Sequence, residues 1–138
     1  MNFIYRRRIY FSETDAAGVV YFANFLSLCH EAYEEALRNA GIELNQLFKD
    51  KKLVIPIVHS ECDYFRPLEC GDEIEIEVVP QIKTPDSFTI TYELYRLTPN
   101  RKRSARARTD HVCIDPDNRK RHPLPQEFQQ FIQMPPEM

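Results

Sequence analysis

The sequence predicts a single α+β domain spanning residues 1–138, in which five antiparallel strands form a sheet around one long helix. Three observations support this fold. From Phe25 to Ala40, apolar residues recur at three- and four-residue steps, which indicates one buried helix face. Stretches of alternating apolar and polar residues lie before and after it, as in half-buried strands. Turn residues separate the later stretches, and no linker or internal repeat divides the chain.

The first half of the chain contains a strand and two helices in this prediction. Alternation over residues 3–11 predicts a first strand with its odd-numbered side chains on the buried face. The long helix should end at Gly41, because glycine is favoured just past a helix C-terminus. A short helix is expected over residues 42–48.

The second half of the chain is predicted to hold four strands and a final helix. Residues 54–66 begin with apolar side chains on both faces, so we expect a central strand that Pro67 closes. The other three strands and the short helix are predicted at residues 73–79, 88–94, 103–114 and 126–133.

Composition excludes several classes of function. The net charge of −3 gives no general attraction to nucleic acid or to a membrane surface, and no apolar run is long enough to span a bilayer. The four cysteines are scattered without the spacing of a metal site or a disulfide framework. We therefore expect a cytoplasmic protein with free thiols and no metal, nucleic-acid or membrane partner.

Asp15 and Gly18 form a predicted turn immediately before the long helix. The free backbone N–H groups at a helix start can bind an oxygen that carries negative charge. A carboxylate beside them can attack a carbonyl carbon or take a proton from water. This arrangement is a minimal hydrolytic centre, although an aspartate at such a position more often only caps a helix or closes a turn.

Residues 14–22, TDAAGVVYF, together with this order of elements, resemble the hotdog-fold acyl-CoA thioesterases of the 4-hydroxybenzoyl-CoA type over nearly the whole chain. Within that family the chain is most similar to the 1,4-dihydroxy-2-naphthoyl-CoA hydrolases of phylloquinone biosynthesis. The segments that support this closer similarity are residues 18–22, 29–34, 56–59, 70–72, 111–114 and 123–125. The resemblance implies a hotdog fold and hydrolysis of an aromatic acyl-CoA thioester without a metal or organic cofactor.

The resemblance also implies roles for individual residues. Asp15 would be the catalytic carboxylate, Gly18 the turn residue, and Phe22 the residue whose backbone N–H binds the thioester carbonyl oxygen. Members of the family are homodimers or homotetramers with active sites between subunits, so residues of the later strands could line the partner's acyl pocket. The implied substrate-binding residues are Val20, Tyr21, His59, Tyr64 and Phe65.

The arginines at positions 103, 106 and 108 leave two interpretations open. Arg103, Arg106 and Arg108 could capture the phosphates of coenzyme A, a local use of positive charge in a net-negative protein. They could equally form a solvated edge strand that the acidic residues at 73–77 balance.

The histidines are predicted to be structural. His30 and Glu34 are four residues apart on the helix but lack the second histidine of a zinc-protease motif, so a hydrogen bond or ion pair is expected. His59 and His111 lie in otherwise apolar strands and are expected to be satisfied core or interface residues, with His59 closer to the pocket.

Two alternative functions stay open beside aromatic acyl-CoA hydrolysis. One is a thioesterase for aliphatic acyl-CoA or for acyl groups on a carrier protein. The other is a non-catalytic module that binds acyl thioesters on the same fold. No acid–base pair of the dehydratase kind stands out in the sequence, which argues against hydration of enoyl thioesters.

Overall fold

The computed structural model describes residues 3–50 and 52–133, and within them five strands form one antiparallel sheet in the order β1-β3-β4-β5-β2. The bounds are β1 Phe3–Arg8, α1 Ala23–Asn39, α2 Leu44–Asp50, β2 Ile57–Tyr64, β3 Glu73–Thr84, β4 Ser87–Arg96, β5 Lys102–Val112 and α3 Gln126–Gln133. This confirms the predicted α+β fold class. None of the described helices is long and apolar enough to cross a membrane.

The strand register places apolar side chains in one row beneath α1. Phe3, Val78, Tyr92, Ala107 and Cys62 are successive partners across the five strands. Side chains of directly paired residues point to the same face of the sheet, while successive side chains along each strand alternate between the two faces. The apolar residues of the predicted alternation in β3, β4 and β5 are therefore confirmed to form the core face of the sheet.

Helix α1 packs its apolar face on this sheet. The two small residues Ala105 and Ala107 are buried on β5 and leave room for the helix to approach. Gly41 follows the helix at φ +85°, as expected for a residue just past a helix C-terminus. The buried residues of α1 are Phe25, Leu28, Cys29, Ala32, Tyr33, Ala36 and Leu37.

The first strand is shorter than predicted. It ends at Arg8, and the chain forms a 3₁₀ turn at Phe11–Glu13. The turn forms because the Glu13 carboxylate accepts the Tyr10 N–H at 2.8 Å, which diverts the backbone from the sheet. Phe11 consequently lies 81% exposed, so its predicted place on the buried strand face is wrong.

The second strand lies at an edge of the sheet, whereas the sequence predicted a central strand. β3 and β4 each have a strand on both sides, and β2 pairs with the outer side of β5. All but one of the side chains of β2 are exposed. Its apolar residues are thus at the surface of the single chain.

Candidate active site

A tight loop at residues 14–20 presents Asp15 to solvent. The Asp15 N–H donates to the Val19 carbonyl at 2.9 Å, and Gly18 closes the turn at φ +82°, a left-handed conformation that glycine adopts without steric cost. Asp15 Oδ1 accepts the Ala17 N–H at 2.8 Å, whereas Oδ2 has no hydrogen-bond partner among the described residues. One carboxylate oxygen is therefore available to a ligand.

Backbone hydrogen bonds attach this loop to the elements around it. The Val20 N–H donates to the Leu68 carbonyl at 2.7 Å. The Tyr21 N–H and the Asn24 side-chain amide both donate to the Glu13 carbonyl, at 3.1 and 2.9 Å. The loop is therefore held at both ends by bonds that do not involve the Asp15 side chain.

An ion network that the sequence did not predict holds the segment before the loop. Arg7, only 8% exposed, pairs with Glu13 and, at 2.8 Å, with Glu31 on α1. Tyr5 donates its hydroxyl to the same Glu31 carboxylate at 2.7 Å. Burial lowers the pKa of Arg7, but hydrogen bonds and charges from Glu31 and Glu13 outweigh it and raise the pKa overall. The network joins β1, the 3₁₀ turn and α1.

Phe22 stands immediately before α1 with helical backbone angles, φ −54° and ψ −37°. Its carbonyl accepts the Tyr64 hydroxyl at 3.2 Å, which ties β2 to the helix start. Its N–H finds no acceptor in the described part of the chain. Because the helix start carries partial positive charge, this N–H is suited to bind a carbonyl oxygen that gains negative charge.

A cleft of about 320 Å³ opens beside the loop and the helix start, and we call it the active-site cleft. It brings together four of the predicted site residues from two separate parts of the chain. The ring of Phe25 meets the ring of Tyr64 edge-on at 5.0 Å between centroids. The cleft is lined by Val19, Val20, Phe22, Phe25, Tyr64, Phe65, Arg66 and Pro67.

Two predicted substrate-binding residues lie outside this cleft. Tyr21 is half exposed and packs against the Phe22 ring at 4.8 Å between centroids. His59 lies on the exposed edge strand and contacts the Glu61 carboxylate at 2.9 Å. His59 is therefore not a core residue, and within one chain it does not reach the cleft.

The arginines of β5 are each paired with a carboxylate. Arg103 and Arg106 approach Glu93 on β4 at 2.8 and 3.4 Å. Arg108 approaches Glu61 on β2 and Asp110 at 3.2 and 3.4 Å. We call this surface, formed by these six residues, the arginine face.

The predicted edge position of these arginines is wrong, because β5 lies between β4 and β2. The acidic residues of β3 do not balance them either. Glu75 and Glu77 pair with Arg101, and Glu75 also pairs with Arg6.

Arg66 is a cleft residue that the sequence analysis missed. It lines the active-site cleft, and its guanidinium donates to the Arg103 carbonyl at 3.1 Å. The Arg103 guanidinium lies over the Phe65 ring, 4.7 Å from its centroid. Arg66 directly follows Tyr64 and Phe65 in the sequence, and this is the one signal that could have identified it.

A second cavity, of about 360 Å³, contains buried polar groups that the sequence analysis did not connect. Thr109 Oγ1 lies 2.9 Å from the Tyr92 hydroxyl and 2.7 Å from His111 Nε2. We call it the Thr109 cavity. Its lining residues are Leu26, Ser27, His30, Ile57, Ser60, Tyr92 and Thr109.

His111 is a core histidine, as predicted, but only one ring nitrogen has a partner. It stacks on Phe88 at 4.5 Å between centroids, and its Nδ1 is buried without a hydrogen bond. Burial, followed by the charge of His30, lowers the pKa of His111 to about 4, so the ring is neutral at neutral pH. No hydrogen bond or ion pair joins His30 to Glu34, so that prediction is wrong.

Elsewhere in residues 3–50 and 52–133, the side chains do not converge as a metal site. No group of three or more histidine, cysteine, aspartate or glutamate residues is placed to hold an ion. A larger apolar cavity of about 540 Å³ lies between the second half of α1, α2 and the chain at residues 53–55. It includes none of the predicted site residues.

Comparison with known proteins gives consistent results. A family model described as "Thioesterase-like superfamily" matches residues 9–132. Over 132 residues the chain is 44% identical to the 1,4-dihydroxy-2-naphthoyl-CoA hydrolase of Trichodesmium erythraeum, covering 96% of each chain, and over 128 residues 48% identical to that of Rippkaea orientalis, covering 93% of each. A solved 1,4-dihydroxy-2-naphthoyl-CoA thioesterase from Synechocystis superimposes with a TM-score of 0.90 at 38% identity, covering 94% of each chain.

Proposed function

Because this chain belongs to the thioesterase-like superfamily, we propose that it hydrolyses 1,4-dihydroxy-2-naphthoyl-CoA to 1,4-dihydroxy-2-naphthoate and coenzyme A. The acyl group is that of the named relatives. The observation that carries the proposal is the presence of two free groups, one on the loop whose residues Val19 and Val20 line the cleft and one at the start of α1. Among the described residues, Asp15 has a carboxylate oxygen without a partner, and Phe22, seven residues later and immediately before α1, has an N–H without one.

Phe22 is the proposed carbonyl-binding residue. The thioester carbonyl oxygen accepts its N–H, and the positive end of α1 stabilises the negative charge that develops there. Removal of one such donor in other enzymes costs about 3 kcal/mol of transition-state stabilisation, so a single N–H can contribute substantially.

Asp15 is the proposed catalytic carboxylate, and two routes fit its position. As a general base it takes a proton from water, the hydroxide bonds to the carbonyl carbon, and the carbon–sulfur bond breaks. As a nucleophile it bonds to the carbonyl carbon itself and forms an anhydride that water then hydrolyses. In both routes coenzyme A leaves as a thiolate. Its conjugate thiol has a pKa of roughly 8.5, like that of cysteine, so no strong acid is required.

We further propose that the active enzyme is a homodimer or homotetramer. β2 pairs with β5 on one side, and its other side is a sheet edge without a partner strand among the described residues. This edge strand exposes Ile57 and Val58, and such edges readily pair with another strand. Pairing of two β2 strands would bury both residues and carry His59 to the neighbouring protomer. Sedimentation velocity at micromolar concentration tests this proposal, and a purely monomeric enzyme with full activity would overturn it.

We propose that Arg103, Arg106 and Arg108 bind the phosphates of coenzyme A. Arg103 touches the cleft residue Phe65, and Arg106 and Arg108 lie farther along the same strand, on the face of the sheet opposite to Tyr64. The proposal requires neither a metal nor an organic cofactor. The four cysteines are free thiols, so we place the enzyme in a reducing cytoplasm.

Release of free thiol from a panel of thioesters tests the function. The panel holds 1,4-dihydroxy-2-naphthoyl-, 4-hydroxybenzoyl-, benzoyl-, hexanoyl- and palmitoyl-CoA. We expect preference for the naphthoyl substrate and a fall in kcat of about 10²–10⁴-fold in Asp15→Asn, because the neutral amide cannot act as base or nucleophile. Asparagine keeps the oxygen that accepts the Ala17 N–H, so the turn should persist.

Asp117→Asn is the matched control, because Asp117 is an exposed aspartate in a different loop. It should turn over like the unaltered protein. Preference for an aliphatic chain would retain the mechanism and reject the substrate. Normal turnover by Asp15→Asn would reject the catalytic assignment, and binding without turnover across the panel would indicate a non-catalytic module.

A further inference from the structure

The active-site cleft and the Thr109 cavity follow one another along the seam between α1 and β2. On the helix, Phe22 and Phe25 line the cleft and Ser27 lines the cavity. On the strand, which runs in the opposite direction beside it, Tyr64 lines the cleft and Ser60 lines the cavity. The same two elements therefore form the walls of both spaces.

The separation along this seam suits a bicyclic aromatic group. Phe22 and Ser27 are five residues apart, which corresponds to about 8 Å along the helix axis. An acyl group whose carbonyl oxygen is bound at the Phe22 N–H would extend its rings toward the Thr109 cavity. The hydroxyl at ring position 4, which is on the carbonyl-bearing ring and meta to the carbonyl carbon, would then face Thr109.

The polar groups at this end have unused hydrogen-bonding capacity. A threonine hydroxyl has one donor and two acceptor positions, and Thr109 uses two of these three with Tyr92 and His111. The Tyr92 hydroxyl uses one position and retains another. Both side chains line the cavity, but Tyr92 is fully buried, so the free position of the slightly exposed Thr109 hydroxyl is the one that a ligand in the cavity can reach.

Burying these polar side chains lowers the stability of the fold, which indicates that the cluster is kept for a function. Tyr92 and His111 are fully buried, and Thr109 is 5% exposed. An apolar side chain at each position would satisfy packing against α1 without a need for partners. His111 Nδ1 lacks a partner, yet its Nε2 stays on the threonine hydroxyl, which fixes the orientation of that hydroxyl.

We propose that the Thr109 hydroxyl, oriented by Tyr92 and His111, binds a hydroxyl oxygen on the aromatic ring of the acyl group. This rests on the proposed function, and it adds the feature of the substrate that the enzyme recognises. Thr109 is thus a specificity-determining residue in the cavity that follows the active-site cleft along the seam between α1 and β2. Ring systems that lack the hydroxyl leave a buried polar group unpaired and bind less well.

The test compares acyl groups with and without ring hydroxyls in Thr109→Val, which keeps the shape of the side chain and removes the hydroxyl. Calorimetry measures the affinity for the free acids 1,4-dihydroxy-2-naphthoate and 2-naphthoate, and thiol release measures kcat/KM for the two CoA esters. We expect the preference for the hydroxylated member to fall about tenfold or more in both measurements. Most of that fall should come from weaker binding of the hydroxylated member.

Thr89→Val is the matched control, because Thr89 also loses one hydroxyl hydrogen bond, to Asp110, but lines neither space. It should leave the preference unchanged. If Thr109→Val does not fold, Tyr92→Phe keeps the buried ring, removes one hydroxyl of the cluster and is expected to reduce the preference several-fold.

An unchanged preference in folded Thr109→Val and Tyr92→Phe would overturn the proposal. The calorimetric comparison separates this outcome from failure of the proposed function. Absence of turnover in the unaltered protein would reject thioester hydrolysis, while a hydroxyl preference in acid binding that depends on Thr109 would still support the ring-recognition site.

Discussion

The Asp15 loop and the arginine face both carry charged side chains, but the two regions use them differently. In the loop, backbone hydrogen bonds hold the chain in place, and one oxygen of Asp15 has no partner within residues 3–50 and 52–133. On the arginine face, Arg103, Arg106 and Arg108 are all occupied by carboxylates of neighbouring residues. A ligand can use the Asp15 oxygen directly, whereas it must compete with Glu93 or Glu61 for the arginines.

This difference indicates how substitutions should act in the two regions. Changes that move the loop should reduce turnover, because they displace the proposed catalytic carboxylate of Asp15 relative to the start of α1. Changes on the arginine face should alter affinity for coenzyme A modestly, since exposed ion pairs contribute only about 0–1 kcal/mol. Two substitutions test the contrast.

Arg7→Met should give the larger effect. It keeps the buried aliphatic stem but removes the guanidinium that joins Glu13 to Glu31. Loss of one partner from a largely buried ion pair is strongly destabilising, and we expect about 2 kcal/mol in the free energy of unfolding, since Glu31 is partly exposed. The displaced Glu13 should also loosen the loop and lower kcat. Urea unfolding and thiol-release kinetics at a temperature where the variant is folded measure both effects.

Arg8→Met is the control for this substitution, because the neighbouring Arg8 is exposed and has no carboxylate partner among the described residues. Arg8→Met should change neither the free energy of unfolding nor kcat appreciably. Lower stability in Arg7→Met with an unchanged kcat would show that the ion network does not position the loop.

Arg106→Ala should give the smaller effect. We expect less than about 1 kcal/mol of lost stability, because Arg106 is about half exposed and Glu93 keeps its second partner, Arg103. The KM for the CoA thioester should rise a few-fold, more at low ionic strength, because the guanidinium attracts phosphate through a screened interaction. The KM for the corresponding pantetheine thioester, which lacks the nucleotide phosphates, should stay the same.

Arg101→Ala is the control on the same side of the sheet, since Arg101 pairs with Glu75 and Glu77 instead. Its KM for the CoA thioester should not change. Equal increases for the CoA and pantetheine thioesters in Arg106→Ala would contradict a role in phosphate binding.

Local patterns predicted the elements of the fold well. The periodicity from Phe25 to Leu37 and the alternation through Ile74, Ile76 and Val78 identified buried faces directly, because these faces repeat with the period of the helix or strand. The same patterns contain no information on which strand lies beside which. The apolar start of β2 was therefore assigned to the centre of the sheet, although it forms an edge.

The sequence identified candidate site residues most readily where they are adjacent in the chain. Asp15, Gly18, Val20 and Phe22 lie in one segment, and the structure places them around one loop. The cluster of Thr109, Tyr92 and His111 was missed because it forms only through the register of β4 and β5 and the packing of α1 over them. Single hydroxyls in strands give no sequence signal of a shared cavity.

The free N–H of Phe22 has a consequence for evolution. A role carried by the backbone does not depend on the side chain, so drift at this position can alter the shape of the cleft while the proposed carbonyl donor persists. Proline is the only standard residue without this N–H, and its ring would accept the φ of −54° found here. Almost any amino acid at position 22 therefore retains the donor N–H. Substitutions there can change which acyl group fits the cleft without removing this hydrogen bond.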